Sequence, residues 1–102
     1  MKTISELKDG DRISATFLVN ACTKGVTTAS RSYLTISFQD ATGTMDGKKW
    51  DIADDDETIF APGNIVAIEA EVLSYKNALQ MKVLSGNPLP LDGVDYTRFV
   101  PS

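Results

Sequence analysis

There is no histidine among the 102 residues of this chain. That absence removes imidazole acid–base catalysis, Ser–His and Cys–His nucleophilic pairs, and the common histidine-containing metal sites. Cysteine is almost as scarce. Cys22 stands alone, so it cannot form an internal disulfide and reads as a small apolar strand residue rather than a reactive thiol. Long apolar runs are missing as well. Nothing approaches the roughly 20 apolar residues that span a bilayer, and the N-terminus has no signal-peptide hydrophobic stretch, so the chain reads as cytoplasmic with no membrane partner. Positive charge is also short. Ten Lys and Arg against fourteen Asp and Glu leave a net charge of −4. This argues against strong non-specific DNA binding, in which phosphate neutralisation supplies most of the affinity.

What remains is one domain's worth of chain with an ordinary balance of 42% hydrophobic and 24% charged residues. The charge is segregated. From Ala15 to Trp50 the cations Lys24, Arg31, Lys48 and Lys49 face only Asp40 and Asp46. From Asp51 to Glu57 five acids (Asp51, Asp54, Asp55, Asp56, Glu57) occur with no cation. A weakly basic working face with an acidic back is compatible with this.

The most informative stretch is Tyr33 to Asp51. Leu34, Ile36 and Phe38 alternate with Tyr33, Thr35, Ser37 and Gln39, the period of a strand with one buried face. Asp40-Ala41-Thr42-Gly43 supplies a turn, with Asp40 able to bond its own backbone and Gly43 able to take positive φ. The returning arm puts Met45 and Gly47 on one parity, and Asp46, Lys48 and Trp50 on the other. If Leu34, Ile36 and Phe38 face the core, the opposite face gathers Tyr33, Thr35, Ser37, Lys48 and Trp50. Rings and ammonium groups together suit single-stranded nucleic acid, because bases stack on the rings while cations meet phosphates.

Around that hairpin, a lead-in from Ile4 to Asp11 precedes a long strand over 12–23, in which Ile13, Ala15, Phe17 and Val19 share a parity. Leu18 breaks the pattern, as expected where a curved strand pairs on both edges. Lys24 to Ser32 reads as a polar flexible loop whose one core residue is Val26. Strands over 33–40 and 44–50 follow. Asp54 to Glu57 places acids in the first turn of a short helix around 54–60, where the macrodipole favours them. Consecutive acids there point in different directions, so a metal site is not expected. Ile59 and Phe60 turn inward, and Pro62-Gly63 ends the helix. Strands over 65–75 (Val66, Ile68, Ala70, Val72 inward) and 79–84 (Leu79, Met81, Val83 inward) complete the set, joined by Lys76-Asn77-Ala78. Three strands, a short helix and two strands make an all-β, five-stranded OB-fold barrel with the helix between strands 3 and 4. Gly47 and Gly63 suit its bends. An SH3-like barrel is the runner-up, without a reason for the helix.

The segments Leu7–Ile13, Phe17–Val26, Ser32–Asp51, Phe60–Val72 and Ser74–Val83 resemble an OB-fold of the anticodon-binding type. They most resemble the N-terminal OB domain of YhaM-type 3′–5′ exoribonucleases, and Asp92–Ser102 resembles the connector from that domain to a catalytic HD domain. The resemblance implies an OB domain over 1–87 and a connector over 88–102 leading toward a separate nuclease. It implies a non-catalytic module that binds single-stranded RNA or DNA and presents it to that HD nuclease partner. Lys49 departs from the family, which carries an apolar residue there, and is expected to snorkel out of the barrel end.

Trp50 is the leading stacking candidate, the alternative being a cap on the barrel end beside Phe60. Tyr33 is the second ring. Lys48, Lys24 and Arg31 are phosphate candidates, and Thr35 and Ser37 share the outward face. Tyr75, Lys76 and Asn77 sit in the loop that clamps oligonucleotides in OB-folds, although Tyr75 could instead pack on the rim. Gln80 and Lys82 lie on the outward parity of the last strand. No catalytic residue and no cofactor is indicated. The competing function is a protein-interaction module using the same groove for a peptide. From Asn87 to Ser102, Pro88, Pro90, Gly93 and Pro101 prevent a further strand or long helix. The apolar residues Leu89, Leu91, Val94, Tyr96, Phe99 and Val100 are too many for a free linker, so the tail should dock on its own barrel or on a following domain.

Overall fold

The computed structural model describes residues 3–100. Five strands, β1 (Arg12–Val26), β2 (Ser32–Asp40), β3 (Gly43–Trp50), β4 (Ile65–Tyr75) and β5 (Ala78–Pro88), form a barrel closed in the order β1-β2-β3-β5-β4. The helix α1 (Asp56–Ile59) lies between β3 and β4, as the hydrophobic pattern predicts. The strands are not all antiparallel. β3 and β5 meet in parallel, at Gly47–Met81 and Lys48–Lys82. A closed ring with an odd number of strands cannot alternate direction all the way round, so one parallel seam is unavoidable.

Alternation places Ile13, Ala15, Phe17, Val19, Leu34, Ile36, Phe38, Val66, Ile68, Ala70, Val72, Met81 and Val83 in one core. Phe60, fully buried, meets Phe38 edge-on at 6.2 Å. Space for these rings comes from glycine. A Cβ on Gly47 would lie 2.7 Å from Phe38, and one on Gly86 would lie 2.4 Å from Phe60. Leu18 breaks the parity of β1 because both ladders meet there, opposite Gln39 on one side and Ile65 on the other. Asn20 is then bulged between Val19 and Ala21, and its side-chain amide donates to Gln39 Oε1 at 2.7 Å.

Several boundaries differ from the sequence reading. β1 continues through Lys24, Gly25 and Val26, paired with Leu34, Tyr33 and Ser32, so the loop shrinks to 27–31. That loop is tied by Thr27 N–H donating to the Arg31 carbonyl at 2.9 Å. Ladder bonds to β2 outweigh the polar composition that suggests a loop. Val26 is 63% exposed and is not a core residue. The β2–β3 turn is built by Asp40, whose Oδ1 accepts from Thr42 N at 2.8 Å while Oδ2 accepts from Ile4 N at 2.8 Å. Gly43 at φ 159° is nearly extended, so this turn does not use the positive-φ freedom expected of it. The helix is shorter than expected, and only Asp56 and Glu57 lie in its first turn.

The tail docks on its own barrel. Leu89 N–H donates to the Ile65 carbonyl, Ala41 N–H to the Arg98 carbonyl, and the Gln39 amide to the Phe99 carbonyl at 2.8 Å. Phe99 is buried, while Leu89, Leu91, Tyr96 and Val100 stay exposed. The segment folds only into a short 3₁₀ turn, Tyr96–Arg98, capped by the Asp95 carboxylate accepting from Thr97 N–H. That bond, with the Thr97 hydroxyl, holds the Asp95 carboxyl below its ordinary range. Pro101 and Ser102 lie outside the described residues. Among the described residues no helix is long and apolar enough to cross a membrane.

Candidate nucleic-acid interface

The outward face of β2 and β3 is assembled by cross-strand pairing. Tyr33 pairs with Trp50, Thr35 with Lys48, and Ser37 with Asp46; directly opposed residues put their side chains on the same side of the sheet. The Tyr33 and Trp50 rings lie 4.7 Å apart, tilted by 41°. Lys48 Nζ sits 5.1 Å from the Tyr33 centroid and 5.9 Å from that of Trp50. Gly25 explains how Tyr33 reaches this position. A Cβ there would come within 2.3 Å of the phenol ring, so the ring lies across bare backbone. Trp50 is half-buried on this cluster, whereas Phe60 packs inside the core; the barrel-cap alternative is not the arrangement found.

The parallel seam brings β5 beside this cluster. A groove of about 340 Å³ is lined by Lys48, Trp50, Leu73, Tyr75, Gln80, Met81 and Lys82. A second of about 580 Å³, lined by Arg31, Trp50, Asp51, Lys82, Val83 and Leu84, shares Trp50 and Lys82 with the first. Tyr75 is 57% exposed and forms a wall of the first groove. Beyond it, Lys76 and Asn77 make a tight turn with φ of 50° and 64°, and Lys76 Nζ lies 5.3 Å from the Tyr75 centroid.

Of the residues singled out by sequence, Tyr33, Lys48, Trp50, Tyr75, Gln80 and Lys82 come together, with Thr35 beside Lys48 and Lys76 and Asn77 at the groove's end. Ser37 is more remote and faces the exposed Asp46. Lys24 lies opposite Leu34, on the core parity at the barrel rim rather than on the Tyr33 face, and pairs with Glu57 at 3.6 Å. Arg31 is near the rings but engaged. It donates from Nε and Nη2 to the two carboxylate oxygens of Asp51 at 3.1 and 2.8 Å, and its guanidinium carbon lies 5.5 Å from the Trp50 centroid. The hydrogen bond from Arg31 holds the Asp51 carboxyl below the ordinary carboxylate range, and the same bond raises the guanidinium. Cys22 lies half-buried against the core; burial, then the Glu57 charge, push its thiol up. That is the environment of an inert thiol.

Leu73, Leu84 and Asp51 were not among the sequence candidates. Leu73 shares outward parity with Tyr75, so an apolar pair at the end of β4 was the available signal. Leu84 is exposed because β5 bulges, Glu69 pairing with Ser85 and Ala70 with Val83, and alternation carries no sign of a bulge.

Two curated relatives share most of the chain. The 3′–5′ exoribonuclease YhaM of Geobacillus sp. (strain WCH70) is 30% identical over 84 residues, which cover 82% of this chain and 26% of the relative. That of Shouchella clausii (strain KSM-K16) is 33% identical over 102 residues, covering 99% of the chain and 32% of the relative. The chain fits an OB-fold domain of YhaM-type proteins. It spans about a quarter to a third of the length of these relatives. No family model matches. The fold has solved neighbours. The second OB-fold domain of replication protein A from Methanococcus maripaludis superposes with a TM-score of 0.70 at 18% identity, over 92% of this chain and 98% of that one. PriB from Ralstonia solanacearum gives 0.63 at 11%, over 76% and 97%.

Proposed function

We propose that this chain is a non-catalytic module that binds single-stranded nucleic acid, RNA by kinship with exoribonucleases, and presents it to a separate HD nuclease domain. The observation that carries the reading is the Tyr33–Trp50–Lys48 cluster on the wall of a groove that also holds Tyr75, Gln80 and Lys82. Two adjacent rings offer base stacking, worth about 1–3 kcal/mol per base in such sites. Lys48 and Lys82, adjacent across the parallel seam, supply positive charge for the backbone. With net charge −4 the phosphate contribution is small, so stacking must carry most of the affinity. RNA rather than DNA, and the HD partner, rest on the YhaM relatives alone.

A peptide groove is the competing reading, favoured by the apolar rims Leu73 (42% exposed) and Leu84 (36%). Titration of a labelled single-stranded RNA at two salt concentrations separates the two. Binding that weakens with salt, with a slope of about −0.7 per phosphate contact, and that quenches Trp50 supports the nucleic-acid reading. An RNA that leaves Trp50 fluorescence unchanged at low salt would sink it.

A further inference from the structure

Asp51 carries the chain out of β3 at φ 53°, a left-handed conformation that Asp and Asn tolerate better than most residues. Its N–H donates to the Ser32 carbonyl at 3.1 Å. Arg31 is held at the base of the preceding loop, where its N–H donates to Thr27 Oγ1 and its carbonyl accepts from Thr27 N–H. Both backbones are therefore fixed, and between them the side chains close a two-bond fork over the Trp50 ring. A fork between guanidinium and carboxylate has the same planar geometry as one between guanidinium and phosphate. Arg31, Trp50 and Asp51 also line the second groove, continuous with the first through Trp50 and Lys82.

Resting on the nucleic-acid reading of this face, we infer that Asp51 is a built-in competitor for the backbone phosphate: it occupies Arg31 and keeps the guanidinium over Trp50 until a strand enters the second groove. An entering phosphate takes the carboxylate's place on Arg31. The guanidinium then swings away from Trp50 and leaves its ring to a base. Asp51 thus sets a threshold. A ligand with an aromatic group but no phosphate leaves the fork closed, whereas a polynucleotide opens it. The pair is fully exposed, so the exchange requires no burial of an unpaired charge.

Asp51→Asn is the decisive variant because Asn keeps the left-handed backbone and removes the charge. The expected result is a several-fold gain in affinity for a labelled single-stranded RNA and a salt slope steeper by about 0.7, the mark of one additional phosphate contact. Adding Arg31→Ala to D51N should abolish both gains. Asp54→Asn removes an equal charge from the same acidic stretch without touching Arg31 and should leave the slope unchanged. If the unaltered chain binds and quenches Trp50 but D51N leaves the slope as it was, or D54N raises affinity as much as D51N, the competitor role is wrong and the binding reading stands. If neither the unaltered chain nor D51N binds, both fall.

Discussion

The ammonium of Lys49 lies 2.8 Å from Asp56 Oδ2, and the two side chains keep only 15% and 7% of their exposure. The same oxygen accepts from Ala53 N–H at 2.7 Å. Lys49 therefore does not snorkel into water. It stays on the inward parity of β3, opposite Leu34, and ties the strand to the start of α1. This also corrects the reading of the acidic run. Asp56 is a buried partner for Lys49, and a favourable helix dipole is secondary in a helix of four residues.

Breaking this pair should be costly, because removing one partner leaves the other charge nearly buried and unmatched. Asp56→Ala is expected to lower stability by about 3 kcal/mol, the lower end for buried pairs since Lys49 keeps some contact with water. Urea unfolding measures it. Replacing both partners by apolar residues should recover most of the loss, and a cost below about 1 kcal/mol for D56A would mean the pair behaves as a surface pair.

The barrel was legible in the sequence because its inward residues alternate almost without interruption, from Ile13 to Val19 and from Val66 to Val72. The Tyr33–Lys48–Trp50 face follows from the same alternation once the hairpin is registered. Three things were not legible. The bulge at Leu84 leaves no compositional trace. The extension of β1 through Gly25 depends on pairing with β2, which local polarity hides. The partners of Lys24, Lys49 and Arg31 are acids 33, 7 and 20 residues further along the chain, and spacing alone does not match them.

Two glycines separate stability from binding. At Gly47 a methyl group would meet Phe38 in the closed core, where there is little room to yield. Gly47→Ala should therefore cost about 1–3 kcal/mol by overpacking, with a matching fall in thermal midpoint. At Gly25 the obstacle is the outer end of the Tyr33 ring, a side chain free to swing outward. Gly25→Ala should leave the midpoint almost unchanged yet weaken RNA binding several-fold, because Tyr33 no longer lies against Trp50. Equal effects of the two variants on melting would show that Tyr33 is a structural ring.

Trp50→Ala and Lys48→Ala should differ in kind as well as size. Losing a stacking surface worth about 1–3 kcal/mol lowers affinity roughly 5- to 150-fold with little change in salt dependence. Losing one ammonium lowers affinity less and flattens the salt slope by about 0.7. Isotherms for both variants at two salt concentrations read this directly. A larger loss from K48A than from W50A would make the face an electrostatic one.

The 102-residue chain should not cut RNA on its own, yet should strengthen RNA capture when joined to a catalytic domain. It has no histidine, and among the described residues no group of three or more Cys, Asp or Glu is placed to hold a metal ion. Its contribution to a nuclease would be affinity. The tail, docked through Phe99 and the Arg98 and Phe99 carbonyls, fixes where the chain leaves the barrel and so shortens the effective tether. A short tether raises the local concentration of a bound strand at the next domain into the millimolar range without a new contact there. Incubating the chain with single-stranded RNA and a divalent cation should give no trimming. A YhaM-type catalytic domain should then be assayed with and without this domain fused ahead of it. The fusion should lower KM for long RNA while leaving kcat on a dinucleotide unchanged, since a dinucleotide is too short to engage both sites. Trimming by the chain alone would overturn the non-catalytic reading, and an unchanged KM in the fusion would overturn the tether.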